Sequence, residues 1–185
     1  MKVSNIMIVG VGGQGSLLAS KLLGRLLVNE GFDVKVSEVH GMSQRGGSVV
    51  TYVRFGEKVY SPIVDLGEAD YIISFEKLEA ARYAPYLKKG GLIITNTQEI
   101  DPMPVITGAA TYPTEILSEL GDSVEALDAL SLANEAGTSK AVNIVLMGRL
   151  AKHFHIAPDK WIAALEAVVN PKFLEINKKL AFTFF

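Results

Sequence analysis

The residues best equipped for chemistry stand in one stretch, EVHGMSQRGG at positions 38–47. It gathers a carboxylate (Glu38), an imidazole (His40), an amide (Gln44) and a guanidinium (Arg45) beside Gly46 and Gly47. A guanidinium fork placed where glycine backbone amides also approach closely suits a carboxylate or a phosphate. The plainer reading is a tightly packed loop in which Arg45 pairs with a local acid, and the residues alone leave the two readings even. A second candidate is GVGGQG at 10–15, in which Gly10, Gly12 and Gly15 hold the G-x-G-x-x-G spacing. That spacing lets a strand turn sharply into a helix whose N-terminus faces a ligand or a partner. Glu38 lies near the position where a dinucleotide site wants an acid for the ribose. Gln14, however, puts a large amide inside the turn beside Gly13, so a nucleotide site, a structural turn and a subunit contact all stay open. No spacing of histidines suits a metal, and no nucleophile–base pairing is defensible, so neither a catalytic nor a metal-binding residue is assigned. His153 and His155 fall at a helix end before Pro158, where a capping or surface role is expected.

These residues need a scaffold that brings both stretches to one edge. The apolar run Ile6 to Val9 reads as a strand, and Leu17 to Asn29 as an amphipathic helix. Asp33 to Val39 alternates as a second strand and Ser48 to Phe55 as a third, with Lys58 to Tyr60 expected to pair back as a short hairpin. Strands joined so closely run antiparallel. Tyr71 to Phe75 and Leu92 to Thr95 are further strands around a helix from Glu76 to Leu87, with Leu78, Ala81 and Tyr83 on its inner face. The proline-rich stretch Asp101 to Thr114 reads as loop or edge strand rather than helix. A short helix over 115–120 and a weak strand over 124–127 follow, and the rest is helical. The fold class is α/β: a Rossmann-like three-layer open sheet, mostly parallel with an antiparallel hairpin, and a helical C-terminal part. Residues 1–185 are expected to form a single domain.

Composition removes several function classes. A net charge of -2 gives no electrostatic case for nucleic acid. The sequence has no cysteine, which excludes thiolate zinc sites, cysteine-ligated iron–sulfur clusters, disulfides and a cysteine nucleophile within the chain. No apolar run approaches the roughly 20 residues that span a bilayer, and the N-terminal run reads as a strand rather than a signal peptide. A cytoplasmic location without membrane contact is the expectation. Gly121, Asp122 and Ser123 followed by Asn143 faintly echo the magnesium motif of thiamine diphosphate enzymes, but the final glycine and second asparagine are missing and the echo is coincidental.

With GVGGQG at 10–15 and HGMSQRGG at 40–47, the chain resembles the gamma-type subunits of 2-oxoacid:ferredoxin oxidoreductases, and among them the indolepyruvate oxidoreductase beta subunits. VRFG at 53–56, YSP at 60–62, FEKLEA at 75–80, AVNIVLMG at 141–148 and PKFLEIN at 171–177 extend the resemblance nearly end to end. It implies a complex that decarboxylates a 2-oxoacid oxidatively, with coenzyme A as co-substrate and electrons passed to ferredoxin. Thiamine diphosphate, magnesium and the iron–sulfur clusters are then expected on a partner subunit, and this chain alone is expected to be inactive. On this resemblance the glycine-rich edge packs against the thiamine-binding partner and completes the substrate or coenzyme A pocket. Arg45 would contact an anion, and His40 and Gln44 would support it. Gly12, Gly13, Gln14 and Gly15 would shape a docking turn. A stand-alone NAD(P)- or FAD-binding protein using the Gly10 to Gly15 turn is the alternative.

Overall fold

The computed structural model describes residues 2–41 and 46–182, Phe182 by its backbone only. Six strands form one sheet: β1 (Ser4–Val11), β2 (Asp33–His40), β3 (Ser48–Gly56), β4 (Ala69–Ser74), β5 (Leu87–Asn96) and β6 (Val124–Leu127). Eight α-helices are described: α1 (Ser16–Asn29), α2 (Lys77–Tyr83), α3 (Met103–Ile106), α4 (Ile116–Leu120), α5 (Ala129–Glu135), α6 (Val142–Ala151), α7 (Pro158–Val168) and α8 (Leu174–Phe182). The strand order is β2-β3-β1-β4-β5-β6, with β1, β4, β5 and β6 parallel and β3 antiparallel to both its neighbours. The sheet is therefore mixed and open, with helices on both faces, as the α/β reading expects.

β1 is buried on both faces, which explains its unbroken apolar run. Ile6 and Ile8 join the core beneath α1, α6 and α7, whereas Met7 and Val9 join the smaller core beneath α2. Helix α1 buries Ala19, Leu22, Leu23, Leu26 and Leu27, the spacing of a single helical face. Each such leucine stabilises the fold by about 1.5–3 kcal/mol, so a charge at Leu23 would break the layer.

Several expectations need correcting. Lys58 to Tyr60 is not a strand. The Val59 N–H donates to Asp33 Oδ2 at 2.9 Å, and Arg54 Nη1 takes the carbonyls of Ser61 and Ile63 at 2.9 and 2.8 Å, so side chains hold this segment in place of a ladder. The antiparallel pairing is instead β3 with β2 and β1. The helix expected to reach Leu87 ends at Tyr83 and β5 begins at Leu87 instead of Leu92, so Gly90 and Gly91 lie inside the strand beside a register shift, where Gly91 passes close to the Asp70 and Ala69 carbonyls. The proline-rich stretch contains the single turn α3, because Pro102 and Pro104 sit where a helix start tolerates proline. The buried residues of α2 are Lys77, Glu79 and Ala80; of the expected inner face, Tyr83 packs partly buried against the smaller core, and Leu78 and Ala81 are only partly covered.

Candidate functional site

β1, β2, β4 and β5 all end at one edge of the sheet, where β3 begins. The two glycine-rich stretches meet there: the Gly12 N–H donates to the Gly47 carbonyl at 2.9 Å. A crevice of about 420 Å³ opens beside this bond, with Gly12, Gly13 and Gly15 on one wall and Glu38, His40 and Val49 on the other. Glu38 and His40 reach it because alternate residues of β2 face α1 (Val36 lies 3.8 Å from a Cβ built on Gly24) and these two continue that face to the strand's end. Glu38 Oε2 accepts from Thr51 Oγ1 at 3.2 Å, directly across the β2–β3 pair. His40 is exposed, with Nδ1 3.1 Å from the Gly41 carbonyl. Gly46 and Gly47 are at the start of β3's approach, and Gln44 and Arg45 lie outside the described residues.

The first turn is held from within. Gln14 Oε1 accepts the Val11 N–H at 2.8 Å, and Gln14 Nε2 donates to the Phe75 carbonyl at 3.1 Å, tying the end of β1 to the end of β4. Gly10 is required by contact, since a Cβ there would lie 2.9 Å from both Gln14 Oε1 and Phe75 Cβ. Gly15 precedes α1 with φ of 91°, a left-handed conformation that disfavours other residues. Asn143 Nδ2 donates to its carbonyl at 3.4 Å. The α1 N-terminus has no side-chain cap and no acid in its first turn, so its dipole favours negative charge nearby. Across the turn a second opening of about 500 Å³ is bordered by Gln14, Gln98, Ser139 and Lys140.

Next along the edge, the buried carboxylate of Glu76 organises the segment after β5. Glu76 Oε1 accepts from Tyr112 Oη at 2.5 Å and from the Ile100 N–H at 3.2 Å, and Oε2 caps α2 through the Glu79 N–H at 2.9 Å. Burial first, and then this bond to Glu76, push the Tyr112 phenol well above its usual range, so it remains a donor. Sequence reasoning missed Glu76, Gln98, Asn143, Ser48 and Glu79 as supports. The signals in the sequence were the FEKLEA stretch for Glu76 and Glu79 and the AVNIVLMG stretch for Asn143. His153 follows the end of α6 as expected, but its ring is half-buried rather than at the surface, 6.0 Å from the Tyr71 ring, with Nε2 3.3 Å from Glu125 Oε1, far from the crevice at the other end of the sheet.

The arrangement suits holding an anion or a partner's loop. A dinucleotide fits it less well, because β3 separates β2 from β1 and sets Glu38 roughly 10 Å from the first strand, two strand spacings instead of one. Among the described residues no three His, Asp or Glu side chains cluster as a metal site. No described helix is long and apolar enough to cross a membrane.

The family model described as pyruvate ferredoxin/flavodoxin oxidoreductase matches residues 5–182. The chain is 48% identical to the indolepyruvate oxidoreductase subunit IorB of Thermococcus kodakarensis, over 97% of this chain and 93% of that one. Among solved structures it is similar to the keto/oxoacid ferredoxin oxidoreductase gamma subunit of Geobacter sulfurreducens, with TM-score 0.73, 20% identity and coverage of 98% and 96%. It is also similar to part of the 2-oxoglutarate:ferredoxin oxidoreductase of Magnetococcus marinus, with TM-score 0.75 and 18% identity, all of this chain matching 30% of that longer one.

Proposed function

The chain belongs to the pyruvate ferredoxin/flavodoxin oxidoreductase family, and from that premise we propose that it is the subunit of an indolepyruvate-type 2-oxoacid oxidoreductase that carries no redox group of its own. The observation that supports this most is the joining of two glycine-rich stretches by the Gly12 to Gly47 bond at an open sheet edge. Such an edge contributes shape and polar contacts, and the reacting groups come from elsewhere. A cysteine-free sequence cannot ligate a conventional iron–sulfur cluster, so a partner chain supplies the clusters. Thiamine diphosphate on that partner would supply the decarboxylation chemistry. This chain's part is to close the pocket for the 2-oxoacid or coenzyme A. The open α1 N-terminus would favour the anionic groups of these molecules, and Arg45 is the proposed side-chain contact to them, with His40 and Gln44 as its proposed supports. Reduced ferredoxin is the product of the complex, not of this chain.

The test is to co-purify the complex from its native host and separate this chain from its partner. The isolated chain should neither oxidise indolepyruvate nor retain NAD, FAD or coenzyme A in calorimetry. Adding it back should restore turnover, and Arg45→Ala should restore it poorly while folding normally. Tight NAD binding by the isolated chain would instead favour a stand-alone nucleotide-binding protein.

A further inference from the structure

We propose that Glu79 is a positioning residue for the crevice, acting from the opposite face of the sheet through Ser48; this rests on reading the crevice as the partner-facing pocket wall. Glu79 is 4% exposed on α2, and its carboxylate accepts hydrogen bonds from Ser48 Oγ and from Arg82 Nε, the latter at 3.0 Å. Ser48 Oγ also lies 3.3 Å from Tyr83 Oη. Ser48 is the first residue of β3 and pairs with Val11, one step from the Gly12 N–H to Gly47 carbonyl bond. Only three links therefore connect a buried carboxylate to the join between the two glycine-rich stretches: carboxylate to hydroxyl, hydroxyl to strand start, strand start to glycine turn.

The choice of residue carries the argument. A buried carboxylate costs desolvation that an alanine or leucine on α2 would avoid. What it gains is a pair of charge-assisted hydrogen bonds with strict geometry. One of these fixes the residue at which β3 begins. Strand ends fray when nothing holds them. If β3 started one residue later, the Gly47 carbonyl would leave Gly12 and the two walls of the crevice would part. Glu38 and His40, on strand β2 beside β3, would shift with it.

The native complex tests this directly. Glu79→Ala and Ser48→Ala, each introduced into this chain and assembled with its partner, should each lower kcat/KM for the 2-oxoacid by about tenfold. The double variant should be no worse than either single one, because both break the same link. Ser48→Thr, which keeps the hydroxyl, should restore the rate, a rescue that a general packing defect would not show. Additive losses, failure of the threonine to rescue, or unchanged kinetics with only a lowered melting temperature would each overturn the role of Glu79. A wild-type complex with no 2-oxoacid turnover would overturn the functional reading itself, and this inference with it.

Discussion

The two glycine-rich stretches look alike in sequence and differ in what surrounds them. In the first, Gly10 and Gly15 stand where an added carbon would lie 2.9 Å from Gln14, Phe75 or Asn143, and the Gln14 amide is bonded to β1 and β4. In the second, Gly41 has open space around its Cα, and Glu38 and His40 are exposed. Glycine spacing alone thus conveys two different demands: one turn is locked by its own fold, and the other is presented outward. A motif usually taken as evidence of a bound nucleotide is here occupied largely by the protein's own side chains.

That contrast can be broken by substitution. The largest effect is expected at Gly15→Ala, which combines a left-handed backbone with a close contact to Asn143 and should lower stability by about 3 kcal/mol. For a chain of this size, calorimetry should then show a melting temperature roughly 6–12 °C lower. Gln14→Ala should follow at about 2 kcal/mol, because it leaves the Val11 N–H without its partner and removes one of the two bonds to the Phe75 carbonyl, which keeps that from Asn96 Nδ2. Urea unfolding of the isolated chain measures it. Gly41→Ala should stay within about 0.5 kcal/mol of the parent protein in the same assay. If the order of the first and last were reversed, the locked and presented stretches would have been exchanged.

The gentlest probe lies at the far end of β2. The Asp33 carboxyl is lowered from 3.8 to about 2, chiefly by the hydrogen bond from Lys35 and then by the Val59 N–H. A depressed carboxyl contributes stability that is complete above its unfolded value and disappears as pH falls through its folded one. The gap in urea midpoint between the parent protein and Asp33→Asn should therefore be constant above pH 4 and close between pH 4 and 2.

Much of the scaffold was legible because it depends on local pattern. The Ile6 to Val9 run, the leucines of α1 and the glycines between them define strand, turn and helix without knowledge of the rest. Placement of the antiparallel pairing was not legible. Ser48 to Phe55 is equally able to pair with a following hairpin or with β1, and side chains rather than a ladder hold residues 59–63: Asp33, on another strand, and Arg54, within β3 itself. The site divides in the same way. Glu38 and His40 could be assigned to the edge from alternation, whereas Glu79 and Ser48 come together only because α2, packed over β1 and β4, carries Glu79 to the start of β3.

The antiparallel insertion of β3 makes parity a constraint on how such a chain is able to diverge. A single extra residue within β2, ahead of Glu38, would turn both Glu38 and His40 through to the α2 side of the sheet. Two extra residues would restore their facing but push them roughly 7 Å beyond the edge. An insertion in the connection after His40 and before Ser48 leaves the facing of both strands unchanged. Length variation among chains of this kind therefore belongs in that connection, where new recognition is able to be written without disturbing the sheet that displays it.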